Sequence, residues 1–300
     1  MSVATITLES SNGDSVVVSG PQQKWTPDYL EDDIILDVDP QGIYDTGFKV
    51  HTQSGAFETG GRIVRTEVPI RELTLPFHLT KASRPRFQRL WGTPGNFRKV
   101  RYIHDGESGP RWLWLKLSKE ILYTTEDGHD AGIGGDYHAV VTAMALNPMY
   151  ESAEDVQEWS NPSSGSNTGW FELWNPTDQF LYPEWTFDPA DEWRFPDRSF
   201  GQERRINRPT SADAYRQIVT PELVSKLSVM TDPMMDSYVS ADLSNITPLF
   251  NGVYPLYGVP PYTGTEDSPV MVPVLCDGPA GATATLRLRR FWSAESGLDQ

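Results

Sequence analysis

The chain has 300 residues and a formal charge of −16, from 25 basic against 41 acidic side chains. That length makes one large domain or two ordinary ones. The charge argues against a surface that binds nucleic acid or anionic membranes without specificity. A lone cysteine, Cys276, excludes an intrachain disulfide, and no Cys and His occur at zinc-site spacing.

Gly and Pro number 24 each and aromatics make up 11%, which favours short strands, many turns and a well-filled core. The opening residues MSVATITLESSNG lack the basic head and apolar centre of a signal peptide, and no apolar run reaches membrane length. The expectation is a protein made in a cytoplasm, without membrane insertion. Val3 to Leu8 and Val16 to Val18 flank Asn12-Gly13, which reads as an opening hairpin. Residues 19–33 read as a loop, Ile34 to Val38 as a short strand, and Asp39-Pro40-Gln41-Gly42 as a turn.

Ser54 to Gly61 is glycine-rich but lacks the Gly-Lys-Ser/Thr ending of a phosphate loop, so a sheet bend or exposed hairpin is expected. Arg62 to Thr80 alternates for most of its length and predicts one long strand, or two separated at Pro69, central to the N-terminal half. Ser83 to Trp91 is the one helix there: Ser83 can cap it, Pro85 suits its first turn, and Phe87, Leu90 and Trp91 share a face. From Leu73 to His104 there is no acid, whereas Lys81, Arg84, Arg86, Arg89, Arg98, Lys99 and Arg101 are all basic. This patch is either a solvated helix face or a docking surface for an acidic neighbour, including another copy of the chain.

Arg111 to Leu117, Ile121 to Thr125 and Tyr137 to Ala145 read as further strands. Residues 151–168 turn acidic and rich in Ser, Asn and Gly, which sets an expected boundary: a β domain over 1–158, a linker over 159–168, and a second β domain over 169–300. The second domain opens on GWFELWNPTDQFLYPEWTF, Gly169 to Phe187, read as two strands joined by the Asn175-Pro176-Thr177-Asp178 turn into a hairpin that nucleates a sandwich. Arg216 to Val219 is a strand, Leu223 to Leu227 is either a helical turn or a strand, and Val270 to Leu275 and Ala282 to Trp292 close the sheet.

Chemistry is sparse. Asp127, His129, Asp130, Asp136 and His138 offer metal-ligand types but not the spacing of a calcium loop, so a solvated loop is the alternative. Asp188, Asp191 and Glu192 are a carboxylate group of the kind glycosidases use, though proximity among 41 acids is expected by chance. No Gly-x-Ser-x-Gly elbow occurs. His78 reads as a strand residue on the polar side and Cys276 as a small buried filler. The clustered tryptophans and tyrosines are either a buried core or a sugar-stacking platform. No catalytic, cofactor-binding or metal residue is assigned.

Several pieces in order give a resemblance: DPQGIYD at 39–45, SGAFETGGR at 54–62, RELTLPFHL at 71–79, NPTDQ at 175–179 followed by Trp185, VPPYT at 259–263, and GPAGATATLRLRRFWSAESGL at 278–298. Together they resemble the minor tail proteins of tailed phages infecting actinobacteria, a group similar to siphophage distal tail (Dit-like) proteins. The resemblance implies a mainly β protein with two β-sandwich domains. The N-terminal one forms a ring, usually hexameric, and the C-terminal one is galectin-like or carbohydrate-binding-module-like. It implies a structural virion protein, not an enzyme and without cofactor. Such a protein joins the tail tube to the tail tip or baseplate around the DNA exit channel, is assembled in the host cytoplasm, and has tail tube, tape measure and tip proteins as partners. A tail-tip module gripping host cell-wall glycan, and a tail-tip glycan hydrolase, are the alternatives.

Overall fold

A computed structural model describes residues 4–21, 34–57, 59–93, 96–125 and 136–299, with the side chain of Asp136 excepted. The expected loop at 19–33 and the candidate ligands Asp127, His129 and Asp130 lie largely or wholly outside the described residues. The chain is mainly β and divides into two compact units. The first comprises residues up to Ser152 together with Trp292–Leu298, and the second runs from Ala153 to Phe291.

The first unit carries β1 (Thr5–Ser10), β2 (Ser15–Ser19), β3 (Ile34–Leu36), β4 (Lys49–Gln53), β5 (Arg62–Glu67), β6 (Arg71–Thr80), α1 (Arg84–Trp91), β7 (Gly92–Thr93), β8 (Asn96–Phe97), β9 (Val100–Gly106), β10 (Gly109–Leu117), β11 (Leu122–Thr124), β12 (Asp136–Ala145) and β13 (Tyr150–Glu151). Its antiparallel sheet runs β2-β1-β9-β10-β12-β6-β3, with β11 beside β12 and β13 beside β10. Alternation decides the faces: Leu73, Leu75, Phe77 and Leu79 of β6 point inward, as do Val100 and Tyr102 of β9 and Val141 and Ala143 of β12, all in one core. α1 adds Phe87, Leu90 and Trp91 to that core, with Phe87 edge-on to Phe77 at 5.1 Å.

Of the two readings of Arg62 to Thr80, the one with two strands separated at Pro69 holds, but only β6 joins the main sheet; β5 pairs with β4 alone. Two further details differ from expectation. Ser83 makes no cap hydrogen bond to α1; its hydroxyl accepts the Thr80 amide at 3.0 Å, forming a local Ser/Thr turn that delivers the chain to Pro85. β9 was hidden in the sequence by its basic residues, although Val100 and Tyr102 alternate inward.

The second unit carries β14 (Asp155–Ser160), β15 (Gly165–Leu173), β16 (Glu184–Phe187), β17 (Glu192–Pro196), β18 (Gln217–Val219), β19 (Leu227–Met230), β20 (Tyr238–Ser240), β21 (Val270–Gly278) and β22 (Thr283–Leu288); β23 (Phe291–Trp292) leads back to the first unit. Two sheets, β14-β22-β16-β19-β20 and β15-β21-β17-β18, share one core. The stretch expected as a linker, 159–168, therefore lies mostly within strands β14 and β15 of this unit.

The Asn175-Pro176-Thr177-Asp178 turn exists, but β15 and β16 do not form a hairpin. β15 pairs β21 and β16 pairs β22 and β19, so the loop crosses from one sheet to the other. The physical reason is that aromatic residues on both strands point into the same inter-sheet space, where Phe171 meets Trp185 edge-on at 5.2 Å. The crossing loop is buried and self-satisfied: Asn175 Nδ2 donates to Gln179 O at 2.8 Å and Pro260 O at 2.9 Å, and Asn175 Oδ1 accepts from Thr177.

The C-terminal segment is locked into the first unit by two interior arginines. Arg111, fully buried, donates to Ala294 O at 3.1 Å and Gly297 O at 2.7 Å and lies over the Trp292 ring at 3.7 Å. Arg71 donates to Ser293 O at 2.8 Å and to Thr46, with its guanidinium over Tyr150.

Candidate assembly surfaces and binding groove

β4 and β5 form an arm. They pair from Lys49↔Glu67 to Gln53↔Arg62 with a bulge after His51, and every residue of both strands is exposed. Ile63 and Val64 are adjacent in a strand and so face opposite ways; they are 67% and 59% exposed. Neither face of the arm is therefore covered. Phe48, Val50, Val68 and Ile70 at its base and Phe57 at its tip are also exposed. A lone two-stranded ribbon is marginal in water, and contiguous naked apolar surface marks an interaction site. Glu67 ties the arm's base: His51 Nε2 and Arg65 Nη2 both lie 3.0 Å from it, and these contacts hold its carboxyl below the usual range.

The seven basic residues separate into two groups. Arg84, Arg98 and Arg101 are half-buried and engaged within the unit. Arg84 donates to Tyr137 Oη at 3.2 Å and lies 4.8 Å over the rings of Tyr123 and Tyr137. Arg98 reaches Asp14 at 3.7 Å, and Arg101 binds Glu9 and lies over Trp112. Lys81, Arg86, Arg89 and Lys99 are exposed, Arg86 donating to Ser15 O at 2.9 Å. The exposed positive surface is thus the outer face of α1 with Lys81 and Lys99.

In the second unit, a groove of about 530 Å³ runs where edge strands β14 and β15 of the two sheets meet. Gln157 closes its floor, donating to Glu172 O at 2.7 Å and accepting the Glu172 amide at 2.8 Å. Trp170, 58% exposed, lines it with Met271, and Glu154, Asp155, Glu158, Glu172 and Glu266 put five carboxylates along it. Trp174 also lines it, one face covered by the Arg290 guanidinium at 3.9 Å. Trp185 and Trp193 are fully buried in the core, whereas Trp170 is exposed, as are Tyr215, Tyr254 and Tyr262 elsewhere in this unit. Two of the three carboxylates singled out in the sequence are occupied: Asp188 is 3.2 Å from Lys226 and accepts the Thr283 amide, and Glu192 binds Arg194.

One cluster has metal-ligand chemistry. Asp37 Oδ2 lies 3.0 Å from both His78 Nε2 and His138 Nε2. His78, expected on the polar face of its strand, is there, directly across from His138 of β12. Sequence reading grouped His138 with the 127–136 loop and missed Asp37 and His78, because residues 41 and 60 positions apart give no spacing signal. Burial raises the Asp37 carboxyl, but the Val38 amide and the two imidazoles outweigh it and leave it lowered.

No model of a protein family matches the chain. It is similar to the minor tail protein Gp27 of Mycobacterium phage L5, 29% identical over an aligned stretch covering 42% of this chain and 42% of that protein. The alignment thus spans less than half of that relative. In fold it is similar to the Dit (gp 19.1) protein of SPP1, described as a paradigm of the hub adsorption apparatus of phages infecting Gram-positive hosts: TM-score 0.55 at 12% identity, covering 95% of this chain and 98% of that one. A chain of the phage P2 baseplate in its activated conformation with calcium aligns with TM-score 0.49 at 11% identity, over 96% and 98%. The fold is Dit-like, and the sequence relative is a phage minor tail protein.

Proposed function

We propose that the chain is a structural virion protein, a ring subunit at the distal end of a phage tail, joining tube to tip around the channel through which DNA leaves. The observation that carries this reading is the β4–β5 arm, whose two uncovered apolar faces need a neighbouring copy to bury them. The exposed face of α1 supplies a positive surface for the acidic remainder of such a neighbour. Tail tube, tape measure and tip proteins are the partners, and no catalysis is assigned. Light scattering across concentration, alone and with the purified tail tube protein, tests it. The wild type forms a closed multimer visible as a ring by negative stain, whereas the Ile63→Asp, Val64→Asp double variant stays monomeric with an unchanged melting temperature. A wild type that remains monomeric under both conditions overturns the reading.

A second reading, that the C-terminal sandwich grips cell-wall glycan, is favoured by one observation: an exposed Trp170 among carboxylates and an amide in a groove suits an apolar sugar face flanked by hydroxyls. Calorimetry with host cell-wall fragments shows binding that Trp170→Ala abolishes; no heat with the wild type removes this reading.

A further inference from the structure

β6, β12 and the chain just after β3 place three donors on the sheet face opposite the core. His78 and His138 are cross-strand partners, and Ile35 of β3 is the partner of His78 on its other side. Asp37 follows two residues later, its amide bonded to Pro76 O at 2.9 Å, so its side chain sits on the same face, diagonal to His78. The carboxylate is pre-aimed, because Oδ1 accepts the Val38 amide at 2.7 Å and leaves Oδ2 for the imidazoles. The three ligand atoms lie within 4.8 Å of one another, and all three side chains are partly buried.

We propose that Asp37, His78 and His138 bind one divalent transition-metal ion, with zinc the best fit. Two imidazole nitrogens and one carboxylate oxygen are the donor set zinc and its first-row neighbours take, in contrast to the all-oxygen shells of calcium and magnesium. At tetrahedral angles, bond lengths of about 2.0–2.2 Å put donor atoms roughly 3.3–3.6 Å apart, so the two carboxylate–imidazole separations of 3.0 Å need to open by only a few tenths of an ångström. The Val38 amide supplies the outer hydrogen bond that orients a ligating carboxylate. Water completes the shell from the exposed side. The ion joins the end of β3, at the edge of the sheet, to β6 and β12 inside it. It acts as a staple, and no reaction is assigned to it.

The test uses the full-length chain stripped with chelator. Zinc titrated by calorimetry binds one equivalent and raises the melting temperature, and cobalt(II) in its place gives the visible absorption of a low-symmetry nitrogen–oxygen site. His78→Gln and Asp37→Asn, checked for folding by circular dichroism, lose the cobalt band and weaken zinc binding at least tenfold. The proposal is overturned if the wild type shows neither heat nor a cobalt band. It is equally overturned if zinc stabilises wild type and folded variants alike, which would put the ion on other histidines and leave the cluster a hydrogen-bonded carboxylate and no more. If one variant fails to fold, loss of the cobalt band in the other, folded one still places the ion at the cluster. The outcome is independent of ring formation, which is read by mass.

Discussion

Arg111 is a cation enclosed on every side, and its value lies in what it holds: two backbone carbonyls and the face of an indole. Truncation strands both carbonyls and opens a hole, so Arg111→Ala should cost about 2–4 kcal/mol. The loss should appear first as proteolysis of residues 293–298, before the rest of the unit is cut, as mass spectrometry of a limited digest would show. Cys276 behaves in the opposite way and holds nothing. Burial pushes its thiol from 9.0 up to about 11, with Asp277 and Asp191 adding to the effect. The folded protein therefore keeps that proton more tightly than the unfolded chain. The resulting stability is intact below pH 9 and drains away as pH rises from about 9 toward 11. Native protein should resist iodoacetamide at pH 8 and react once unfolded, and rapid native labelling would contradict this burial.

At the scale of elements, α1 separates structure from surface. Its inner residues Phe87, Leu90 and Trp91 fill the core, while Arg89 and nearby Lys99 face outward. Arg89→Glu with Lys99→Glu should leave the melting temperature within error yet weaken self-association by tenfold or more in sedimentation. Arg84→Ala should do the reverse, lowering stability by roughly 1–2 kcal/mol through loss of its two tyrosine faces. The elements that were legible in the sequence are those whose pattern is local. β6 shows its alternation, α1 its three-residue apolar face, and Ser54 to Gly61 its turn chemistry. The crossover at Asn175 was not legible, because aromatic residues facing a common core look the same whether their strands are neighbours in one sheet or opposed in two. Nor could spacing reveal the arm's bareness, since an apolar residue such as Ile63 gives the same signal whether or not another layer packs on it, and both Ile63 and Val64 are exposed. The groove and the Asp37, His78 and His138 cluster are assembled wholly by pairing register, which no single segment encodes.

For the whole molecule, the second unit is an insertion in the first. Ser152 and Trp292, the last and first residues of the first unit on either side of it, are joined by a hydrogen bond of 3.0 Å from the indole to the serine hydroxyl. Replacing 153–291 by a short Gly/Ser bridge should therefore leave the first unit folded, with cooperative melting and, if the arm drives assembly, an intact ring. Loss of cooperative melting in that deletion would show that the inserted unit supports its host.

The returning tail also sets a timetable. Arg71 and Arg111 are made early, yet the carbonyls they clasp belong to Ser293, Ala294 and Gly297. On the ribosome, both guanidiniums must wait, hydrated, while the whole inserted sandwich emerges and has the opportunity to fold. The first unit is thus completed only after the second has been made, and a nascent chain halted before Ser293 would leave Arg71 and Arg111 without the carbonyls they hold.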